Sequence, residues 1–574
     1  MNRWGLVGLM ALAACAPENT LYTEAQGGAC PGVTAGALTD EARALTAPSL
    51  PLDDGREPFI IRYRDDGVSA ASRVRQFGGQ VTATFRSVPA VAARLSSRER
   101  EALAKDPSVE SIEPDQVWHS LGAATAPALS FASAAARGRI PGGYAGGLRQ
   151  VQANEVWDLD EDGQPDPGRP TGAGTRVCII DSGLDMEHPS LRQAVVASWD
   201  FLDGDTNTSD GVLGAWGSGH GTHVAGIVAA RPGAPIKGME TGSLVGVAPG
   251  TELVIARVLD LNGRTQMSIV LAALEYCSAK KAKVASLSLG GGFASKTTLE
   301  AFQAAYDSGM LVVAASGNDG GQVVSYPASD PSVLAVGAVD DQGRRADFSS
   351  GGHELALVAP GVDVLSLFPR GLGGRSEVLE LDANETQLMS RPLQYSPAGT
   401  KVAPLVDCGA GDSLESCKDS TCSGFIAYVR PGFLPIEQVM VNVMKQGAQA
   451  VIIGNEVVEG GLEIFSLPRR GRWVPAVTIN QAGGTMLDRV LGYNVRVHVE
   501  PTDYTHMSGT SMSTPYVVGV AALLFSAHPS ATPAQVREAL VSTARDLGPV
   551  GHDEGYGHGM VQARRALESL SYLP

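Results

Sequence analysis

Three short segments carry side chains whose types and spacing suit acyl transfer. Val177, Cys178, Ile179 and Ile180 form an apolar run that ends on a carboxylate, Asp181, followed by Ser182 and Gly183. Gly219, His220, Gly221, Thr222 and His223 open a stretch of helical character, with an imidazole at its start. Ser508, Gly509, Thr510, Ser511, Met512, Ser513, Thr514 and Pro515 lead into an apolar helix that ends near 527. A serine hydroxyl is a weak nucleophile at neutral pH. It needs a base to take its proton, and the base needs a partner that fixes its tautomer. A serine at a helix start also lies among backbone N–H groups without intrahelical acceptors, which can hold a developing oxyanion. Asn318, just past the apolar run 311–315, ends a strand candidate with a side-chain amide. Singly, these residues read equally well as a strand-end turn, a helix start and an N-cap. Together they supply nucleophile, base and orienting acid. His220 and His223 lack the Glu of a His-Glu-x-x-His zinc motif, and no third ligand is apparent, so His223 is read as structural.

The order Asp, His, Ser with these flanks resembles the subtilisin-like serine peptidases, over roughly 150–366 and 502–570. The resemblance implies that Asp181 orients, His220 is general acid and base, and Ser511 is the nucleophile. It implies an oxyanion hole made by Asn318 and the backbone N–H of Ser511. Ser288, Leu289 and Gly290, with Ala315, Ser316 and Gly317, match the two segments that line the S1 pocket; their small side chains leave a broad slot, which implies a broad P1 preference that leans to apolar residues. The stretch 59–118 resembles the family's inhibitory propeptide, whose tail fills the active site. Matching that tail, 113–121, places the first self-cleavage after Leu121.

The elements around these residues agree with this placement. Apolar strand candidates at 176–180, 253–258, 284–289, 311–315, 333–336 and 355–358 alternate with helical stretches such as 268–279 and 299–308. Near-continuous apolar strands alternating with helices predict an α/β core, a doubly wound and mostly parallel sheet. Chemistry gathers at the C-terminal edge of such sheets, where Asp181 stands. Ahead of it, 56–121 reads as a ferredoxin-like α+β prodomain of β-α-β-β-α-β order, with a capping box of Ser96 and Glu99. Residues 122–147 read as a linker rich in Ala, Ser and Gly. The catalytic core is expected over 148–370 and 501–574. Residues 371–500 break the pattern and read as an inserted, β-rich α/β domain that resembles a protease-associated (PA) domain, notably at 436–454 and 473–479.

At the N-terminus, Arg3 precedes an apolar run to Ala14 and then Cys15. The run is too short to span a bilayer and has the order of a secretory signal. Leu12, Ala13, Ala14 and Cys15 resemble the bacterial lipobox, which implies a 1–14 signal peptide and a lipid on Cys15. The protein is therefore expected to be exported, to the cell envelope or the medium, where disulfides are permitted. A bridge is expected among Cys408, Cys417 and Cys422; Cys178 and Cys277 are expected to be buried free thiols.

Lys+Arg 44 against Asp+Glu 61, a net charge of -17, argues against nucleic acid or anionic lipid as a partner. Protein or peptide substrates and the chain's own prodomain are the expected partners, with membrane contact only through the lipid. No cofactor is needed for the chemistry. A structural Ca²⁺ could be held by Asp158, Asp160, Asp162 and Asp166, which have the opening spacing of a calcium loop, although Arg169 stands at the twelfth place where Glu would close it. The competing functions are a narrow processing protease screened by the insertion and a non-catalytic surface binding protein that uses it.

Overall fold

The computed structural model describes residues 54–65, 70–121, 144, 147–210, 219–239, 244–260, 262–381, 386–417, 424–454, 465, 467 and 471–571. The expected signal peptide, Cys15, Cys422 and nearly all of the linker lie outside them. The first body comprises β1 (Glu57–Tyr63), α1 (Ala70–Gln76), β2 (Gln80–Thr84), β3 (Ala90–Leu95), α2 (Ser97–Leu103) and β4 (Val109–Pro114). Its antiparallel sheet runs β2-β3-β1-β4, the ferredoxin-like arrangement. The period of two divides its strands between two cores. Phe59, Ile61, Tyr63, Val91, Ala93 and Leu95 pack under α1 and α2, whereas Ile60 and Ala92 join the core of the next body. The capping box is formed: Ser96 Oγ accepts from Glu99 N, and Glu99 Oε2 accepts from Ser96 N. β5 (Val117–Ser120) then leaves this body.

The second body begins with α3 (Asn154–Trp157), β6 (Arg176–Asp181), β7 (Val195–Asp200), α4 (His220–Ala229) and β8 (Glu252–Arg257). It continues through β9 (Arg264–Gln266), α5 (Met267–Ala279), β10 (Val284–Leu287), β11 (Leu289–Gly290), α6 (Lys296–Asp307) and β12 (Leu311–Ala315). β13 (Val333–Val339), β14 (Leu355–Pro360) and β15 (Val364–Leu367) close its first half. Seven strands form one sheet in the order β14-β13-β12-β10-β6-β8-β7, and every pairing in it is parallel. Val177 and Ile179 of β6 face the core shared with α4, while Cys178 and Ile180 face the one shared with α5 and α6.

That parity corrects one expectation. Cys178 and Cys277 are not free thiols but a disulfide, with Cα atoms 5.8 Å apart. Cys178 points to the α5 face of the sheet, and Cys277 is one of the buried residues of α5. Two thiols on facing elements were 99 residues apart in sequence, so nothing local announced the pair.

The insertion is a third body: β16 (Gly373–Glu380), β17 (Gln387–Leu388), β18 (Ser390–Pro392), β19 (Gly399–Asp407), β20 (Phe425–Val429), α7 (Ile436–Lys445), β21 (Ala448–Gly454), β22 (Ala476–Ile479), α8 (Gln481–Leu487) and β23 (Asn494–Thr502). Its sheet runs β17-β16-β23-β19-β20-β21-β22-β18 and mixes parallel and antiparallel pairs. Cys408 and Cys417 are bonded, as one of the pairings expected there.

The chain returns through β24 (Tyr504–Met507) into α9 (Thr510–Ala527), α10 (Pro533–Ser542) and α11 (Ala563–Leu570). β24 pairs antiparallel with β15, so the insertion enters and leaves on adjacent strands. Among the described residues, α9 alone is long and apolar enough to cross a membrane; it is instead buried along nearly its whole length inside the second body. Pro515 lies inside it and supplies no N–H to the Ser511 carbonyl four residues back. Ser288 Oγ donates to that carbonyl at 3.1 Å and completes the ladder from outside.

Candidate active site

Asp181 is the last residue of β6 and has the parity of Val177 and Ile179, so it belongs to the face on which α4 packs. The approach is close because two glycines meet there. A Cβ on Gly221 would stand 2.2 Å from the Gly183 carbonyl oxygen, and one on Gly219 (φ 93°) would stand 2.1 Å from the Phe368 ring. Asp181 Oδ1 accepts from His220 Nδ1 at 2.7 Å and from Ser182 N at 2.7 Å. With Nδ1 protonated toward the carboxylate, Nε2 carries the lone pair. It is buried and has no hydrogen-bond partner among the described residues.

A buried carboxylate that the sequence did not single out ties these segments together. Asp210 accepts from Ser182 Oγ at 2.7 Å, from Thr222 N at 2.9 Å and from Thr222 Oγ1 at 2.6 Å. It thereby links the residue after Asp181 to the first turn of α4. Burial is the largest influence on His220 and pushes its pKa down. The charge and hydrogen bond of Asp181, with the charge of Asp210 behind, outweigh it and hold the imidazole above its ordinary value. His223 faces elsewhere: its Nε2 bonds the Val364 carbonyl at 3.1 Å, and burial with the nearby His220 pushes its pKa down to about 3. A neutral imidazole holding β15 in place fits the structural reading.

Ser511 is the second residue of α9, and its hydroxyl donates to the carbonyl oxygen of Leu121 at 2.8 Å. Asn318 Nδ2 donates to the same oxygen at 2.9 Å. The carboxamide is oriented from its other end, where Asn318 Oδ1 accepts from Thr510 N and Thr510 Oγ1, both at 2.9 Å. One carbonyl oxygen thus sits between a serine hydroxyl and an amide donor.

The chain leading to Leu121 is held as a strand. β5 lies between β11 and β9 in a three-stranded antiparallel sheet, with Ser120 opposite Leu289, His119 opposite Gly290 and Trp118 opposite Thr265. Leu121 N donates to Ser288 O at 3.2 Å, and Leu121 Cδ1 would lie 3.7 Å from a Cβ on Gly290. Of the expected S1 residues, Ser288, Leu289 and Gly290 therefore border this strand. Ala315, Ser316 and Gly317 lie buried at the end of β12, where the Ser316 hydroxyl is spent on the Ser350 carbonyl. Trp118, fully buried, meets Tyr326 edge to face at 5.7 Å between centroids.

The four acidic residues near 160 divide. Asp158, Asp160 and Asp162 can each bring a carboxylate oxygen within 4.8 Å of the others. Asp158 is buried, bonds the Tyr144 hydroxyl and accepts from Asp162 N and Gly163 N. Asp166 instead closes the turn through Leu159 N at 2.8 Å. Oxygen-only donors of this kind suit a hard cation such as Ca²⁺, yet each carboxylate also has a backbone amide to cap.

The geometry can be set beside known proteins. Residues 172–400 and 475–559 match the Subtilase family, and residues 69–120 match the peptidase inhibitor I9 family. Subtilisin E of Bacillus subtilis (strain 168) is 34% identical over 339 residues, which cover 58% of this chain and 78% of that protein. Thermitase of Thermoactinomyces vulgaris is 34% identical over 223 residues, 39% of this chain and 72% of that one. Among solved structures, the psychrophilic subtilisin-like protease Apa1 of the Antarctic psychrotroph Pseudoalteromonas sp. AS-11 superposes with a TM-score of 0.54 at 29% identity, covering 75% of this chain and 100% of that one. Fervidolysin of Fervidobacterium pennivorans shares the fold at a TM-score of 0.55 and 21% identity, over 90% of this chain and 62% of that one.

Proposed function

From the premise that this chain belongs to the subtilase family and is a subtilisin-like serine endopeptidase with an I9-type inhibitor prodomain, we propose that Asp181, His220 and Ser511 are its catalytic triad. In this reading His220 Nε2 takes the Ser511 proton as Oγ attacks the scissile carbonyl, and Asp181 holds the tautomer and stabilises the imidazolium. Asn318 Nδ2 and the Ser511 backbone N–H hold the oxyanion. Collapse of the tetrahedral intermediate expels the amine, which takes the proton from His220, and leaves an acyl-enzyme. Water, deprotonated by the same imidazole, then releases the acid. The observation that carries the proposal is the Leu121 carbonyl oxygen, 2.8 Å from Ser511 Oγ and 2.9 Å from Asn318 Nδ2.

The same observation supports self-processing after Leu121 and an apolar preference at P1, with Ser288–Gly290 and Ala315–Gly317 as the pocket. We take 56–121 as the inhibitory prodomain, and 148–370 with 501–574 as the catalytic domain. We take 371–500 as an inserted PA-like domain. Export fits the signal-like N-terminus. A lipid on Cys15 would stand on the far side of the cut, so maturation would free the enzyme from its anchor. The chemistry needs no cofactor; Ca²⁺ at Asp158, Asp160 and Asp162 would be structural, with Asp166 shaping the turn.

Wild type and Ser511→Ala, compared by intact mass and by fluorophosphonate labelling, test this. The wild type is expected to lose mass by a cut after Leu121 and to take the label, and the variant to do neither. A folded wild type that stays whole and unlabelled refutes the triad.

A further inference from the structure

The prodomain tail touches the second body beyond the four residues that form a strand. Counted back from Leu121, Gln116 is the sixth residue before the proposed cut and Asp115 the seventh. The Gln116 carboxamide makes a two-point pair with the backbone of Phe293: its Oε1 accepts from Phe293 N at 2.6 Å, and its Nε2 donates to Phe293 O at 3.1 Å. A Cβ on the neighbouring Gly292 would stand 1.9 Å from Gln116 Oε1, so the groove is open because that position is glycine. The Gln116 carbonyl accepts from Met267 N at 2.8 Å. The Asp115 carboxylate, itself buried, accepts from Ser268 N at 2.9 Å and Ser268 Oγ at 2.6 Å.

Every enzyme-side group here stays behind when the prodomain leaves. Met267 N, Ser268 N, Ser268 Oγ and Phe293 N are left as donors, and Phe293 O as an acceptor. They lie in register with the cleft, because residues 115–116 run straight into the strand that β9 and β11 hold. Any peptide bound in that strand with Leu121's counterpart at P1 delivers its sixth and seventh residues to these groups. A side-chain amide matches the donor and acceptor of one residue's backbone in a way that neither a carboxylate nor an alkyl chain can.

We propose that this surface is a pair of outer substrate subsites: one at P6 for a side-chain amide, on Phe293, and one at P7 for a carboxylate, on the first turn of α5. The substrates it favours are extended peptide segments in which an acidic and then an amide residue precede an apolar P1 residue by this spacing. The inference rests on the proposed triad and on cleavage after Leu121. These contacts are made alike in the bound substrate and in the transition state, so their loss appears in KM with kcat unchanged.

The test uses the self-processed enzyme and quenched fluorescent peptides spanning 113–125, with the cut located by mass. Relative to the parent peptide, Gln116→Leu is expected to lower kcat/KM by about 3- to 10-fold, nearly all of it in KM, the worth of one or two neutral hydrogen bonds. Gln116→Glu is expected to lose more, because it sets a carboxylate against the Phe293 carbonyl. Asp115→Asn is expected to raise KM as well. If all four peptides are cut after Leu121 with equal kcat/KM, the outer subsites do not exist and the triad stands. If enzyme that takes a fluorophosphonate label cuts none of them after Leu121, the register is wrong and the subsites fall with it. If the enzyme takes no label either, the triad reading fails first and the subsites go with it.

Discussion

The Asn318 carboxamide illustrates how narrowly a single residue's role is set by its neighbours. Its oxygen is committed to Thr510, so its nitrogen has one orientation left, toward the Leu121 carbonyl. Asn318→Ala is expected to lower kcat by about 10²–10³ with little change in KM; that magnitude was measured in subtilisin and is carried over here. Asn318→Asp would keep the Thr510 contact but offer no donor, and should lose as much. His220 gives a second expectation at this scale. Its pKa is held above the ordinary value, and the protonated ring cannot act as a base. The acid limb of kcat/KM should therefore fall as pH drops through a value above about 6.5, and Asp181→Asn should move that limb to lower pH while reducing kcat. A profile flat from pH 5 to 8 would refute the assignment of base. Asp210 could not have been found by spacing alone. Its partners Ser182 and Thr222 converge on it only when β6 and α4 are docked, and no residue beside it in the sequence hints at a cap.

Elements set the next level, and α9 shows it best. Its first turn presents Ser511, its apolar length fills the sheet's centre, and Pro515 leaves one carbonyl for another element to satisfy. Ser288 does so from the turn between β10 and β11. Ser288→Ala should strand a buried carbonyl and cost about 1–3 kcal/mol, seen as a lower urea midpoint in the inactive Ser511→Ala background, where autolysis cannot confuse the result. An unchanged midpoint would mean that another donor reaches Ser511 O. The sequence pattern found six of the seven strands of the main sheet and most of its helices because strands buried on both faces are apolar throughout; it missed the edge strand β7, which is buried at only one of its six residues. In the prodomain it gave the β-α-β-β-α-β order but no residues for β2, a five-residue strand with no buried position. Nor did it pair Cys178 with Cys277, since which face of a strand meets which helix is a property of packing.

Over the whole molecule, the prodomain and the insertion both pack against the second body. The prodomain supplies the strand that fills the cleft, and Glu275 of α5 accepts from Arg86 N, Ser87 N and Ser87 Oγ of the prodomain. The insertion reaches the segment ahead of Ser511, the proposed nucleophile: Arg391 of β18 pairs with Asp363, whose own N–H bonds Ser508 Oγ. His506 of β24 lies in the same region and is pushed down to about 4, mainly by burial and then by Arg391. His223 and His506 are thus neutral in the folded protein but protonate in the unfolded chain below about 6.5. Stability should fall as pH drops from about 6.5 toward 4, through proton uptake on unfolding. His220, with a raised pKa, works the other way and loses its contribution as pH rises through that value. The melting temperature of Ser511→Ala should decline across the acid window, and His506→Gln should flatten the decline; equal slopes would exclude His506 as a cause.

By itself the sequence determined the scaffold and nominated the cast proposed for its chemistry. A hydroxyl, an imidazole and a carboxylate on glycine-flanked strand and helix ends, the buried parallel strands and the prodomain's pattern are all local features, written in residue type and short spacing. Only the tertiary structure decided which groups share a hydrogen bond. The Asp210 link, the Cys178–Cys277 bridge, the donor from Ser288 and the seat of Gln116 on Phe293 join residues 28 to 223 positions apart. Such pairings depend on strand parity and docking distance, which no window of sequence contains.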